Sequence, residues 1–272
     1  NVNTMNLPIR RFYPSLLLVV LACGCEKVVE LNLNNAEKKY VVEATLSDQA
    51  GTARVQITQT RDFSQDNSFP GISGASVQIT EVGGSVTNLT EISSGVYENP
   101  SLAGVPGKTY RLAVSVNGQS FSAECSMPLK VRFDTLFVTD ELLFTDVRKI
   151  ANIGYQEPAG RGNAYRFVQY VNGRPEDDLM IDNDDYTDGR PIRRKLYFFA
   201  NKDENQINSH DTVTMDMQCI DPVMYKYWFS LDRSSSGQSG QAAPSNPVSN
   251  MKGGALGYFS AHTTSRRIII VP

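Results

Sequence analysis

"KTYRLAVSVNGQSFSAECS", residues 108–126, decides the fold. Asn117-Gly118 stands between two strand-like runs, "YRLAVSV" and "SFSAECS". A two-residue type I′ turn needs positive φ at both central positions, and Asn-Gly supplies it with the twist that paired strands require. The stretch therefore reads as a β-hairpin. Upstream, "ARVQITQTRDF" (53–63) sets Val55, Ile57 and Gln59 against Arg54, Gln56 and Thr58, the period of two of a half-buried strand. "GASVQITEVGG" (74–84) repeats the pattern, with Val77 and Ile79 on one face and a Gly-Gly turn after it. "KKYVVEATLSD" (38–48) and "VTNLTEISSGVYENP" (86–100) complete a series of short strands at the spacing of a β-sandwich, which Pro128 closes.

A second β-rich region starts near "VRFDTLFVTD" (131–140). Asp140 to Ala151 reads equally as strand or helical turn. "AYRFVQYVNGRP" (164–175) runs into another Asn-Gly turn, and "IRRKLYFFAN" (192–201) and "DTVTMDMQCI" (211–220) are further strands. "DPVMYKYWFSLDRSS" (221–235) differs. Asp221 can cap a helix with Pro222 in its first position, and Val223, Tyr227 and Leu231, like Met224 and Trp228, recur at intervals of four. "SSSGQSGQAAPSNPVSN" (234–250) has the composition of a flexible loop. "GGALGYFSAHTTSRRIIIVP" (253–272) is expected to form two strands. The fold class is therefore all-β: an N-terminal immunoglobulin- or transthyretin-like sandwich (38–128), then a second mainly β domain (129–272) with one short helix.

Residues 1–24 are an address. Arg10 and Arg11 precede a short apolar run from Phe12 to Ala22, interrupted by Pro14 and Ser15, and small residues then lead to Cys23 and Cys25. The run is about half of the roughly 20 residues that a spanning helix needs, and the order of parts is that of a secretory signal. A cysteine after small residues at the cleavage point is the bacterial lipobox, whose thiol takes the lipid. Cys25, with Cys23 as the alternative, is the expected lipid carrier, and 25–37 are a polar tether. Met5 begins a conventional signal, so "NVNT" reads as an over-extended start. A triacylated cysteine anchors permanently, since each buried methylene adds about 0.8 kcal/mol.

The net charge of -3 gives no general pull toward nucleic acid. Cys125 and Cys219 read as buried free thiols or as one bridge, with no spacing to decide between them. His210 and His262 share no metal-ligand spacing and read as exposed. Ser249-Asn250-Met251-Lys252 has the form S-x-x-K, but Pro247 and Gly253-Gly254 flank it and no K-T-G follows. "DNDDYTDG" (182–189) fails the EF-hand pattern, with Tyr186 and Lys195 where oxygens belong. A weak calcium site from Asp182, Asp184 and Asp188 is the residual possibility beside a plain turn. "DTL" and "DTV", beginning at residues 134 and 211, have the form of a short O-glycosylation sequon, or are plain strands. Tyr225, Trp228, Tyr258 and Phe259 could stack on a sugar or peptide, or fill a core. No catalytic set and no cofactor site stands out.

"CEKVVELNLNNAEKKYVVEATLSD", "FPGISGASVQITE", "GVPGKTYRLAV", "DGRPI", "DPVMYKYWFSL" and "GGALGYFSA" follow one another in an order that resembles the lipoproteins of domain-of-unknown-function family 4249. The doubled "CGC" departs from that pattern and blurs the processing site. The resemblance implies an outer-membrane lipoprotein of a Gram-negative bacterium, from a family often encoded beside TonB-dependent receptors; a surface-exposed position is expected, with a periplasm-facing one as the alternative. No activity is established for the family. The expected function is non-enzymatic help in substrate capture or uptake with a TonB-dependent transporter. An adhesin or structural envelope lipoprotein with tandem sandwiches is the alternative, and a surface hydrolase a further one. The ligand class (small molecule, peptide or glycan) stays open.

Overall fold

The computed structural model describes residues 37–61, 68–143, 145–198, 206–235 and 246–272. The leader, Cys23, Cys25 and most of the tether lie outside the described residues, as does the middle of the 234–250 loop. Seven strands make the first half: β1 (Tyr40–Ser47), β2 (Ala53–Gln59), β3 (Ser76–Glu81), β4 (Val86–Ser93), β5 (Val96–Asn99), β6 (Thr109–Val116) and β7 (Gln119–Ser126). Then come β8 (Phe133–Leu143), β9 (Asp146–Gln156), β10 (Ala164–Val171), β11 (Arg174–Pro175), β12 (Met180–Asn183), β13 (Pro191–Leu196) and β14 (Thr212–Ile220). A helix, α1 (Pro222–Ser235), and the long β15 (Leu256–Ile270) finish the chain.

The hairpin of 108–126 forms as its turn chemistry requires. Asn117 and Gly118 have φ of 48° and 76°, and Val116 faces Gln119 across a two-residue loop. Asn172-Gly173 repeats the device between β10 and β11. Among its described residues the ambiguous 140–151 segment is strand apart from the turn residue Thr145, with β8 and β9 antiparallel.

One sheet runs β11-β10-β14-β15-β1-β2-β5-β4-β3-β6-β7, with β12 also on β10, and a second runs β13-β9-β8. The large sheet folds over at β4, which pairs with β5 on one side and β3 on the other. Its far strand, β7, then returns against β15, where the Ala261 N–H donates to Cys125 Sγ at 3.2 Å. Two layers result, in the manner of an immunoglobulin-like sandwich. Val42, Leu46, Val55 and Ile57 from one layer and Val77, Ile79, Leu112 and Val114 from the other fill the space between, all nearly sealed from solvent. Alternating strands bury one face this way because successive side chains point to opposite sides.

A second core lies where the three-stranded sheet covers β10 and β14. It holds Phe133, Ile153 and Leu196 from one side and Phe167, Met215 and Met217 from the other. Pro128 lies between the strands of the two cores. The parallel pairing of β1 with β15, from Val41↔Leu256 to Ser47↔His262, carries one sheet through both.

Two expectations change here. Residues 253–272 do not form two strands: β15 is one strand of 15 residues. Its first half pairs with β1 and its second half with β14, so the break lies in the pairing and not in the backbone. In α1, Asp221 caps as expected, its Oδ1 accepting the Val223 N–H at 2.9 Å. Met224, Tyr227 and Trp228 are buried, but Val223 is 40% exposed, so the inner face lies around 224, 227, 228 and 231.

At the edge of the second core, Glu157 is buried, and its Oε1 accepts hydrogen bonds from Tyr165 Oη (2.7 Å) and Asn163 Nδ2 (2.9 Å). Oε2 has no partner among the described residues. Burial raises the carboxyl pKa, outweighing the two hydrogen bonds that lower it. A carboxyl that holds its proton more tightly folded than unfolded destabilises progressively as pH rises from the unfolded value, about 4.3, through the folded one. Glu157→Gln keeps the acceptor and removes the charge. The variant is expected to match the parent in acid and to become the more stable as pH climbs through that window. Urea unfolding at a series of pH values reads the difference, and a gap that does not widen with pH would refute the assignment.

Candidate functional site

The large sheet has a face that turns away from both cores. Period-two geometry and the registers place on it Arg166 of β10, Asp216 and Gln218 of β14, and Ser260, His262, Thr264 and Arg266 of β15, with Thr45 and Ser47 of β1. Gln218 stands opposite Arg166 on one side and Thr264 on the other, while His262 stands opposite Ser47. This face is polar yet largely covered: Ser47, Asp216, Ser260, His262 and Thr264 are all buried.

A cleft of about 180 Å³ opens on this face. Its floor is Asp216, Gln218, His262, Thr264 and Arg266. Thr45, Ser47, Gln49 and Thr52, from β1 and the turn after it, form the wall. The wall is held in place by its own hydrogen bonds. Thr52 Oγ1 donates to the Gln49 carbonyl at 2.6 Å and accepts from the Ser47 N–H at 3.2 Å. The Ser47 hydroxyl meets Thr52 Oγ1 at 2.8 Å and accepts the Gln49 N–H at 3.1 Å. Asp48 continues β1 past its end: Oδ1 accepts the Thr264 N–H at 2.9 Å, and Oδ2 binds Lys130 Nζ at 2.8 Å.

The charges in the cleft cancel. Arg266 donates Nε and Nη2 to the two oxygens of Asp216, both at 2.6 Å, the two-pronged geometry that makes guanidinium–carboxylate pairs strong. His262 is sealed in the sheet, and burial, with Arg166 nearby, pulls its pKa down to about 4, so the ring is neutral at pH 7. Its Nδ1 lies 3.2 Å from Ser260 Oγ.

At the other end of the face, α1 sets Trp228 edge-on to Tyr258, ring centroids 4.8 Å apart, and the Arg166 guanidinium lies 4.3 Å from the Trp228 centroid. Burial lowers the Arg166 pKa and raises that of Tyr258 to about 12. Arg166 Nε and Trp228 Nε1 are buried donors without a partner among the described residues.

The aromatic residues singled out from sequence divide. Trp228 belongs to the first core's cluster of buried residues, with Tyr258 packed against it, where that cluster borders the polar face. Phe259 is fully buried in the first core. Tyr225 is half-buried and stacks on Phe229, centroids 6.0 Å apart. The three aspartates serve the chain's own loops. Asp182 pairs with Arg194 at 2.7 Å, Asp184 accepts the N–H groups of Gly162 (3.0 Å) and Asn163 (2.9 Å), and Asp188 accepts that of Gly160 (2.7 Å). Among the described residues, no group of three or more His, Cys, Asp or Glu side chains could hold a metal ion. Ser249 spends its hydroxyl on the Gly257 carbonyl at 2.5 Å, and Lys252 is exposed on a bridge to Ser122.

Cys125 and Cys219 are both free and buried, which settles the open choice against a bridge. Burial pushes the Cys125 thiol up to about 12, so it is no nucleophile at neutral pH. The expectation that both histidines are exposed holds for His210, in a turn with φ of 70°, and fails for His262. His262 lies mid-strand, where β15 passes from its pairing with β1 to its pairing with β14. Asp216, Gln218 and Arg266 were not singled out from sequence, and His262 was, but as an exposed residue. The available signal was a polar residue at every second position of "TMDMQ" and "SAHTTSRR".

The family model described as "Domain of unknown function (DUF4249)" matches residues 26–268, and the chain belongs to that family. No curated protein matches it. Among solved structures, a two fibronectin type-III domain segment from chicken tenascin is similar at 10% identity and a TM-score of 0.25, covering 86% of this chain and 100% of that one. No helix among the described residues is long and apolar enough to cross a membrane.

Proposed function

We propose, with membership of the DUF4249 family as the premise, that the protein is a non-catalytic recognition module of the cell envelope, tethered by a lipid at Cys25. One observation carries the reading: a fixed, internally neutralised row of hydrogen-bonding side chains crosses three strands of a rigid sheet. Rigid strands hold binding groups more accurately than loops do. The His262 ring and the Ser260 hydroxyl lie side by side without an oriented acid or an activated leaving-group site, so the arrangement suits binding.

Within this reading, a structural or adhesive envelope protein has the better support, because a single sheet joins the two cores and so couples them mechanically. Service beside a TonB-dependent transporter at the outer surface is the second reading, and it rests on the family resemblance. A pull-down of the tagged, membrane-inserted chain in gentle detergent separates the two. Mass spectrometry of the partners and of the N-terminal peptide is the readout. Self-association, or recovery with other envelope surface components, supports the adhesive reading. Stoichiometric recovery of a transporter barrel would replace it with the accessory reading. An N-terminal peptide without acyl chains on Cys25 or Cys23 would end the envelope-anchor proposal.

A further inference from the structure

We propose that the His262 cleft binds an uncharged, polyhydroxylated ligand: a single saccharide unit or the end of a saccharide chain. The inference rests on the recognition-module reading and adds the ligand class.

Every residue lining the cleft carries a hydrogen-bonding side chain. An apolar ligand would strand the groups not already paired within the wall or in the Asp216–Arg266 pair, at roughly 1–3 kcal/mol for each group left unpaired. A charged ligand fares no better. The one carboxylate and the one guanidinium in the lining already satisfy each other, and the imidazole is neutral. An ion entering would shed its hydration and find no free counter-charge. What remains is a molecule with many donors and acceptors and no net charge. Hydroxyl groups suit the lining because each is both donor and acceptor, as are the groups they would meet on Thr45, Gln218 and Thr264.

Size points the same way. Drug-sized pockets run to about 300–1,000 Å³. At about 180 Å³ this cleft takes one ring and not a long segment. The wall is pre-organised, since the Ser47, Gln49 and Thr52 bonds fix it before any ligand arrives. Unmet hydrogen bonding continues past the cleft. Gln218 accepts a long bond from Arg166 Nη1 at 3.5 Å, and beyond it lie the unpartnered donors Arg166 Nε and Trp228 Nε1.

The test is saturation-transfer NMR on the full chain in detergent. The probes are glucose, galactose, mannose, maltose and cellobiose, set against glucuronate, inorganic phosphate and an acetylated, amidated diglycine. Two variants report on the site: Gln218→Leu, and Thr45→Val, which removes the wall hydroxyl together with its long bond to the Thr52 carbonyl at 3.5 Å. The expected result is binding of at least one neutral saccharide, weakened tenfold or more by each variant, with no binding of the charged probes. Saccharide binding that both variants leave unchanged would move the site elsewhere and overturn the proposal. Binding of phosphate, glucuronate or the diglycine in place of the sugars, sensitive to the same variants, would overturn the ligand class and leave the recognition reading standing. Silence from every probe overturns the proposal. Silence together with a pull-down that recovers nothing ends the recognition reading as well.

Discussion

Gly257→Ala is expected to cost roughly 3–5 kcal/mol of folding stability, among the largest effects of any single methyl in this chain. Gly257 has φ of +95° at the start of β15, where it stands opposite Val42 of β1. A Cβ there would lie 2.1 Å from the Val42 carbonyl oxygen and 2.7 Å from its carbon. Both are backbone atoms of the parallel pairing that joins the end of the chain to its beginning, so neither can swing aside. Gly254 is the control. Its φ is +89°, but nothing lies within 4 Å of its would-be Cβ. Gly254→Ala therefore carries conformational strain alone, about 1–2 kcal/mol. Denaturant unfolding followed by the fluorescence of Trp228, the only tryptophan, measures both. Equal losses would mean that β1 relaxes away from the new methyl and that the pairing is softer than its geometry implies.

That pairing also shows what the sequence could and could not reveal. The hairpins were legible because Asn117-Gly118 and Asn172-Gly173 carry a complete turn instruction in two residues. The helix start was legible because Asp221-Pro222 is local chemistry. The parallel neighbour of β1 was not, since the two strands are separated by most of the chain and no short-range signal links them. The same distance hid the site. In "SAHTTSRR" a run of polar residues interrupts the apolar pattern, and a polar interruption ordinarily marks a turn. Here no Gly or Pro follows Gly257 until the last residue, the backbone stays extended, and the polar residues are the floor of the cleft. The polar run that interrupts the apolar pattern is where β15 changes partner, from β1 to β14. Asp216 and Arg266 likewise become a pair only when β14 and β15 meet; apart, each is one charge among many.

Tyr258 and Phe259 are adjacent aromatic residues with opposite tasks, and substituting them should separate stability from recognition. Phe259 faces the first core and is fully buried, so Phe259→Ala is expected to cost about 3–5 kcal/mol through lost transfer energy and the cavity left behind. Tyr258 faces the other way, half-buried, against Tyr227 at 5.0 Å and Trp228 at 4.8 Å. Tyr258→Ala forfeits two ring pairs worth about 0.5–1.5 kcal/mol each beyond area, so its stability loss should be well below that of Phe259. Its mark should appear elsewhere. Without the Tyr258 ring the Trp228 environment changes, and the emission of the native state should shift before any unfolding begins. Phe259→Ala, if folded, should leave that native emission nearly unchanged and move only the unfolding midpoint. Chemical denaturation with full emission spectra at each point reads both quantities from one experiment. The opposite pattern, with Tyr258 the costlier residue and Phe259 the one that perturbs Trp228, would mean that the register of β15 is shifted by one. A one-residue shift exchanges the two faces of a strand, and His262 would then point into the core and not into the cleft. The stability contrast between two neighbouring rings is thus also a test of the placement on which the proposed site depends.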